Sequence, residues 1–139
     1  MGDLRLFEVV AGGLRVNRLR LEIAASNLAN LRATKKGGRV YRRKIPIVRA
    51  EPAGFDEQLK RELTKPEIAR IVEDQRPPLL VYDPSHPEAG PDGYVRYPNI
   101  NMMEELVDFL TSARAYELNL NVWETARNLI LKTLEVGGR

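Results

Sequence analysis

Side chains capable of bond-making chemistry are few in this 139-residue sequence, and they lie apart from one another. There is no cysteine, which excludes thiolate nucleophiles and disulfides. The single histidine, His86, sits in the proline-rich stretch "PSHPEAGPDG" (84–93) with no nucleophile, base and acid constellation around it. It reads as an exposed loop residue. Glu104 and Glu105 are adjacent, so on a helix they point about 100° apart, which suits the positive end of the helix dipole better than paired acid–base chemistry. Asp83, Glu88 and Asp92 could surround a cation, but prolines interrupt any calcium-loop spacing. No glycine-rich phosphate loop is present. No catalytic, cofactor-binding or metal-binding residue is therefore expected, and the chain does not read as an enzyme.

Two polar features stand out instead. In "AASNLANLRATKKGG" (24–38), Asn27 and Asn30 lie one turn apart on an otherwise apolar helical segment, where propensity favours Ala or Glu. Each amide offers two donors and acceptor lone pairs, enough to bond a neighbouring helix or to cap its own. The second feature is a basic run of Arg32, Lys35, Lys36, Arg39, Arg42, Arg43 and Lys44. Tyr41 is the only stacking aromatic within it, and the chain carries a net charge of only +3. A solvated or subunit-facing patch is expected there, with no nucleic acid as partner.

The elements that must position these residues follow from periodicity. Residues 3–31 predict a helix: Phe7, Leu14, Leu21 and Leu28 recur every seven positions, with Leu4, Ala11, Arg18 and Ala25 in the alternate row. Asp3 is the expected N-cap, with Lys35, Lys36 and Gly37-Gly38 closing the helix. Residues 101–135 predict a second helix with rows Met102, Phe109, Tyr116, Trp123, Ile130 and Leu106, Ala113, Leu120, Arg127, Leu134. Asn101 with Glu104 resembles a capping box. All nine prolines fall between the helices. Strands are expected at 40–49, 68–74, 78–83 and 94–97, with a turn at Pro91-Asp92-Gly93. Phe55, Leu59 and Leu63 suggest a short helix or an excursion.

The expected fold is α+β: N- and C-terminal helices packed as a coiled-coil-like pair, with a small β-rich lobe between them. Residues 1–36 and 99–139 would form a discontinuous helical assembly domain, and 37–98 the lobe. The helices measure about 42 and 52 Å by rise per residue. A lobe of about 60 residues, with a radius of gyration near 10 Å, does not cover them. Pairing would leave flanking Val10, Val16, Leu31, Met103, Leu110 and Leu131 outward, and each such side chain is worth about 1.5–3 kcal/mol when buried. Other chains are expected to bury them. Gly12 and Gly13 together cost about 2 kcal/mol of helix propensity, tolerable where another backbone approaches closely; a kink or a late helix start is the alternative. The expected subunit interface is Phe7, Leu14, Leu21, Asn27, Leu28, Asn30, Met102, Leu106, Phe109, Tyr116, Leu120, Trp123 and Ile130. No 18-residue apolar run appears, so membrane insertion is not expected. The N-terminus lacks a basic region followed by an apolar core, so a cleaved secretory signal is not expected.

"AASNLAN" (24–30) resembles the signature of the bacterial flagellar axial proteins of rod, hook and hook-associated type. "LVYDPSHPEAGPDGYVRYPNINMMEEL" (80–106) and "SARAYELNLNVWETARNLILKTLEVG" (112–137) are similar to the proximal-rod members of the flagellar basal body. The resemblance covers about residues 1–50 and 77–137; 51–76 resembles nothing named. Asn101 stands where that family usually shows Asp, a near-neutral exchange at an N-cap. The resemblance implies a structural subunit of the rod, the periplasm-spanning drive shaft. It would be exported by the flagellar type III apparatus without signal cleavage and would assemble with itself and other rod proteins. Periodicity alone also allows a coiled-coil adaptor acting as a soluble dimer.

Overall fold

The structure, a computed structural model, describes residues 2–34, 38–52 and 64–138. Two long helices, α1 (Gly2–Ala29) and α2 (Met102–Gly137), enclose four strands in sequence: β1 (Lys44–Pro52), β2 (Thr64–Glu73), β3 (Leu79–Tyr82) and β4 (Tyr94–Tyr97). The fold is α+β, as expected. The suggested helix at 55–63 lies outside the described residues, as do Lys35, Lys36 and Gly37.

Helix α1 starts at Gly2, which puts Asp3 within its first turn and not at its cap. It ends earlier than the basic run suggested, because Asn30 turns back on it. The Asn30 N–H and side-chain Nδ2 both donate to the Ser26 carbonyl, at 3.1 and 2.8 Å. Helix α2 starts as expected: Asn101 Oδ1 accepts from the Met103 and Glu104 N–H groups at 2.9 and 3.3 Å. It closes where the Gly138 N–H reaches the Leu134 carbonyl.

The β-rich middle is two separate hairpins. Strands β1 and β2 pair antiparallel from Lys44↔Glu73 to Pro52↔Thr64, with a register shift between Ile47 and Val48 that leaves Ala69 as the extra residue of a bulge. Pro46 and Pro66 sit in these strands; a two-stranded sheet has only outer edges, where a missing N–H is tolerated. Strands β3 and β4 pair from Leu79↔Tyr97 to Tyr82↔Tyr94, and Tyr82 and Tyr94 stack edge to face at 5.2 Å. All of β3 is exposed, whereas β4 turns Val95 fully inward, followed by buried Pro98 and Ile100. A lone two-stranded hairpin is marginal in water, and the first one packs on α1 through both of its strands.

The helices pack antiparallel. Phe7 meets Trp123 edge to face at 4.7 Å, Gly13 faces Asn119, and Asn27 bonds Glu105. The buried row of α1 is Val10, Gly13, Asn17, Ala24 and Asn27. This is a heptad row shifted from the expected one: Phe7, Leu14, Leu21 and Leu28 flank the seam half-buried. On α2, Phe109, Tyr116, Trp123 and Ile130 lie beside the seam, half-buried as well. Their companions are Glu105, Ser112, Asn119 and Ala126, not the row of Leu106, Ala113, Leu120, Arg127 and Leu134, which is exposed except for half-buried Ala113. The reason is steric. A Cβ at Gly13 would stand 2.9 Å from Asn119 Nδ2, so the axes run close and only small or flat side chains fit between them.

Val10 and Val16, expected outward, are buried. Gly12 and Val16 share the α1 face turned to the first hairpin, where a Cβ at Gly12 would meet Lys65 Cγ and the Pro66 carbonyl at 3.0 Å. The close approaches that justify both glycines are therefore within the chain. A late start is absent, since α1 runs unbroken through them.

Candidate assembly interface

The end of α1, the start of β1 and the first turns of α2 meet at Asn27, which is 1% exposed. Its carboxamide oxygen accepts from the Lys44 N–H at 3.0 Å and the Tyr41 hydroxyl at 2.9 Å. Its amide nitrogen donates to the Lys44 carbonyl at 2.9 Å and to Glu105 Oε2 at 3.0 Å. The reciprocal pair with Lys44 copies a β-bridge, so the side chain serves α1 as a one-residue strand partner for β1. Both donors and both acceptor positions are used.

An inter-subunit bond from Asn27 is accordingly replaced by an intrachain one, because no hydrogen-bonding capacity is left over. Asn30, the other expected interface amide, donates to its own helix; the capping alternative describes it.

Glu105 departs most from expectation. It is 2% exposed and forms an ion pair with Arg43, whose Nη2 also stands 3.5 Å from Asp108. The pair fixes the β1 entry against α2 as Asn27 fixes it against α1. The basic run is therefore divided: Arg43 folds inward, while Arg32, Arg39, Arg42 and Lys44 are exposed. A search for apolar periodicity passes over Glu105. The signal was its seven-residue row with Ser112, Asn119 and Ala126, all polar or small.

The turn after β2 carries further charge. Hydrogen bonds from the Arg76 side chain and N–H hold the Asp74 carboxyl below the usual carboxylate range, and Asp74 in turn raises Arg76. In the 83–93 loop, the Ser85 hydroxyl donates to Asp83 Oδ1 at 2.6 Å and lowers the Asp83 pKa. His86 Nδ1 accepts from the Glu88 N–H at 3.1 Å. No group of three or more metal-ligating side chains is found among the described residues. No helix among them is long and apolar enough to cross a membrane.

Opposite the seam, α2 turns a series of large apolar side chains to solvent, with Arg114, Asn121, Thr125 and Lys132 between them. Met103, Val107, Leu110, Leu118, Val122, Leu129 and Val136 are 46–77% exposed. Among the expected interface residues, Met102, Leu106 and Leu120 are also exposed. In the register set by Asn27–Glu105 and Gly13–Asn119, residue 130 lies level with Gly2. Residues 131–137 therefore extend about 10 Å past α1, with Leu131, Leu134 and Val136 bare. Arg18 and Arg127, which interrupt the expected rows, reach solvent, and Arg18 pairs with Glu22 at 3.0 Å.

Residues 92–136, from the end of the acidic loop through nearly all of α2, match the family model described as flagellar basal body rod FlgEFG protein C-terminal. The chain is 35% identical to flagellar basal-body rod protein FlgC of Salmonella typhimurium, with 99% of each chain covered. It is 33% identical to FlgC of Bacillus subtilis, over 93% of this chain and 94% of the relative. The value for FlgC of Aquifex aeolicus is also 33%, over 97% of each. With likeness running from end to end in distant bacteria, and α2 with its bare apolar face inside the part the family model describes, the chain belongs to the FlgC family of flagellar basal-body rod proteins.

Proposed function

We propose that the protein is a structural subunit of the proximal rod of the bacterial flagellar basal body, polymerising through its terminal helices. The observation that carries this reading is the outward face of α2. Seven large apolar side chains along one helix face are a poor surface for a free monomer and a good one for a neighbour's helix. In this reading, 1–36 and 99–139 form the assembling part, with Met102, Leu106 and Leu120 meeting neighbouring helices directly. Phe7, Leu14, Leu21, Leu28, Phe109, Tyr116, Trp123 and Ile130 line the rims of the seam, where half-buried surface can be completed by a second subunit. Residues 37–98 decorate the outside. Partners are further copies and other rod proteins, and delivery is through the flagellar type III export apparatus into the periplasm-spanning rod. A soluble dimeric adaptor draws no support from relatives that are named rod proteins along their full length.

The test is complementation of a motile bacterium that lacks its own FlgC. The unaltered chain, or a chimaera carrying its helices, restores swimming. A variant with Leu110→Lys, Leu118→Lys and Leu129→Lys keeps its helical circular dichroism but gives no rods. Full motility from that triple variant would overturn the proposal.

A further inference from the structure

A groove of about 750 Å³ opens between the end of α1, the 38–44 segment and the turn after β2. Six cations line it (Arg39, Arg42, Arg43, Lys44, Arg76 and Arg96) against two carboxylates, Glu73 and Asp74. Arg43 is taken by Glu105 and Asp108, and Arg76 by Asp74. Arg42 bonds only neutral acceptors, the Asp74 carbonyl and Gln75 Oε1. Among the described residues, Arg39, Lys44 and Arg96 pair with no carboxylate; the Lys44 ammonium stands 6.0 Å over the Tyr41 ring. The groove therefore carries an uncompensated positive charge.

The opposite charge is on the same chain. The loop joining β3 to β4 holds Asp83, Glu88 and Asp92 and contains no lysine or arginine. It is tied into one shape. The Asp83 N–H donates to the Gly93 carbonyl at 3.0 Å, the Gly90 N–H to the Tyr94 carbonyl at 2.9 Å, and the Gly93 N–H to the Gly90 carbonyl at 2.9 Å. Gly93 takes a φ of 79°, which lets the loop close without strain. Such a loop loses little conformational freedom on binding. Arg96 borders both the groove and the recess beside Glu88 and Asp92, yet forms no ion pair with either.

We propose that the basic groove of one copy receives the acidic β3–β4 loop of a second copy. The inference rests on the assembly reading above and adds a contact outside the helices. Groove and loop are different surfaces, so the contact is head-to-tail, the kind that repeats along an open filament without closing a dimer. Nucleic acid fits the groove less well, since Tyr41 is the only aromatic among its lining residues and single strands are held by successive stacking platforms.

Sedimentation of the full chain over a concentration series, at about 0.05 and 0.5 M salt, reads the contact directly. Arg39→Glu and Asp92→Arg change exposed residues, and circular dichroism checks that both remain folded. At low salt each variant alone self-associates about tenfold more weakly. Mixed together they recover, because the reversed groove now matches the reversed loop. A double variant carrying both Arg39→Ser and Asp92→Ser loses the salt dependence. Unchanged association in the single variants, or no recovery on mixing, overturns the proposal. So does retention of a DNA oligonucleotide that Arg39→Glu abolishes while copies associate as before. The motility test on the α2 face is independent, so a rod subunit without this contact would show itself as motility retained by both charge variants.

Discussion

Asn27 and Glu105 are polar residues in the seam of a helix pair, and their value lies in what they satisfy. Removing the Asn27 side chain strands the Lys44 N–H and carbonyl and one Glu105 oxygen together, and leaves the Tyr41 hydroxyl with Ser26 alone. One stranded buried group costs about 1–3 kcal/mol. Asn27→Ala is expected to cost at least about 3 kcal/mol, seen as a lower denaturant midpoint. Asn27→Asp, although nearly the same shape, is expected to do no better. It loses both donors and sets a carboxylate against Glu105. Glu105→Ala leaves Arg43 without its buried partner and is expected to cost about 3–5 kcal/mol. A midpoint unmoved by these changes would mean that water replaces the network at no loss. The sequence flagged Asn27 as unusual but not its partners, because Lys44 acts through its backbone and Arg43 and Glu105 lie far along the chain.

Among the elements, the two glycines of α1 make a controlled comparison. They are adjacent, yet they meet different neighbours. A Cβ at Gly13 runs into the end of the Asn119 side chain, which can swing aside, and gains about 1 kcal/mol of helix propensity. A Cβ at Gly12 runs into the Pro66 carbonyl and Lys65 Cγ, and the backbone of β2 cannot swing. Gly13→Ala is therefore expected to leave thermal stability within about 1 kcal/mol of the parent. Gly12→Ala is expected to lose about 1–3 kcal/mol by pushing the hairpin off the helix. Equal effects at the two positions would contradict the packing. The helices and four strands were legible because each has its own period or turn chemistry: heptads, alternation, and Gly and Pro between runs. The division of the strands into two hairpins was not, since the same alternation serves one sheet or two.

For the whole molecule, the decisive feature is surface that the chain makes and does not cover. The overhang at 131–137 has no α1 beneath it, so nothing within the helix pair depends on it. Deleting residues 131–139 is expected to leave the unfolding midpoint unchanged within error while abolishing incorporation into rods. A large loss of stability would show that the overhang folds back onto its own chain. The exposed faces at Met103, Leu110 and Leu131 follow the expectation that one copy cannot hide all its apolar surface. Val10 and Val16 do not, because the first hairpin and α2 close over them.

The sequence by itself determined that two heptad helices bracket a strand-rich middle, and that the chain's apolar surface exceeds what those parts can bury. Tertiary structure alone decided which helix faces meet. Helices with apolar residues on several sides have more than one possible seam, and periodicity ranks them by hydrophobicity. The folded chain ranks them by how closely two backbones approach. That favours Gly13, Ala24, Ser112 and Ala126 in the contact, with Asn27 and Glu105 to satisfy one another, and it sets the large aromatic side chains beside the seam, half-buried.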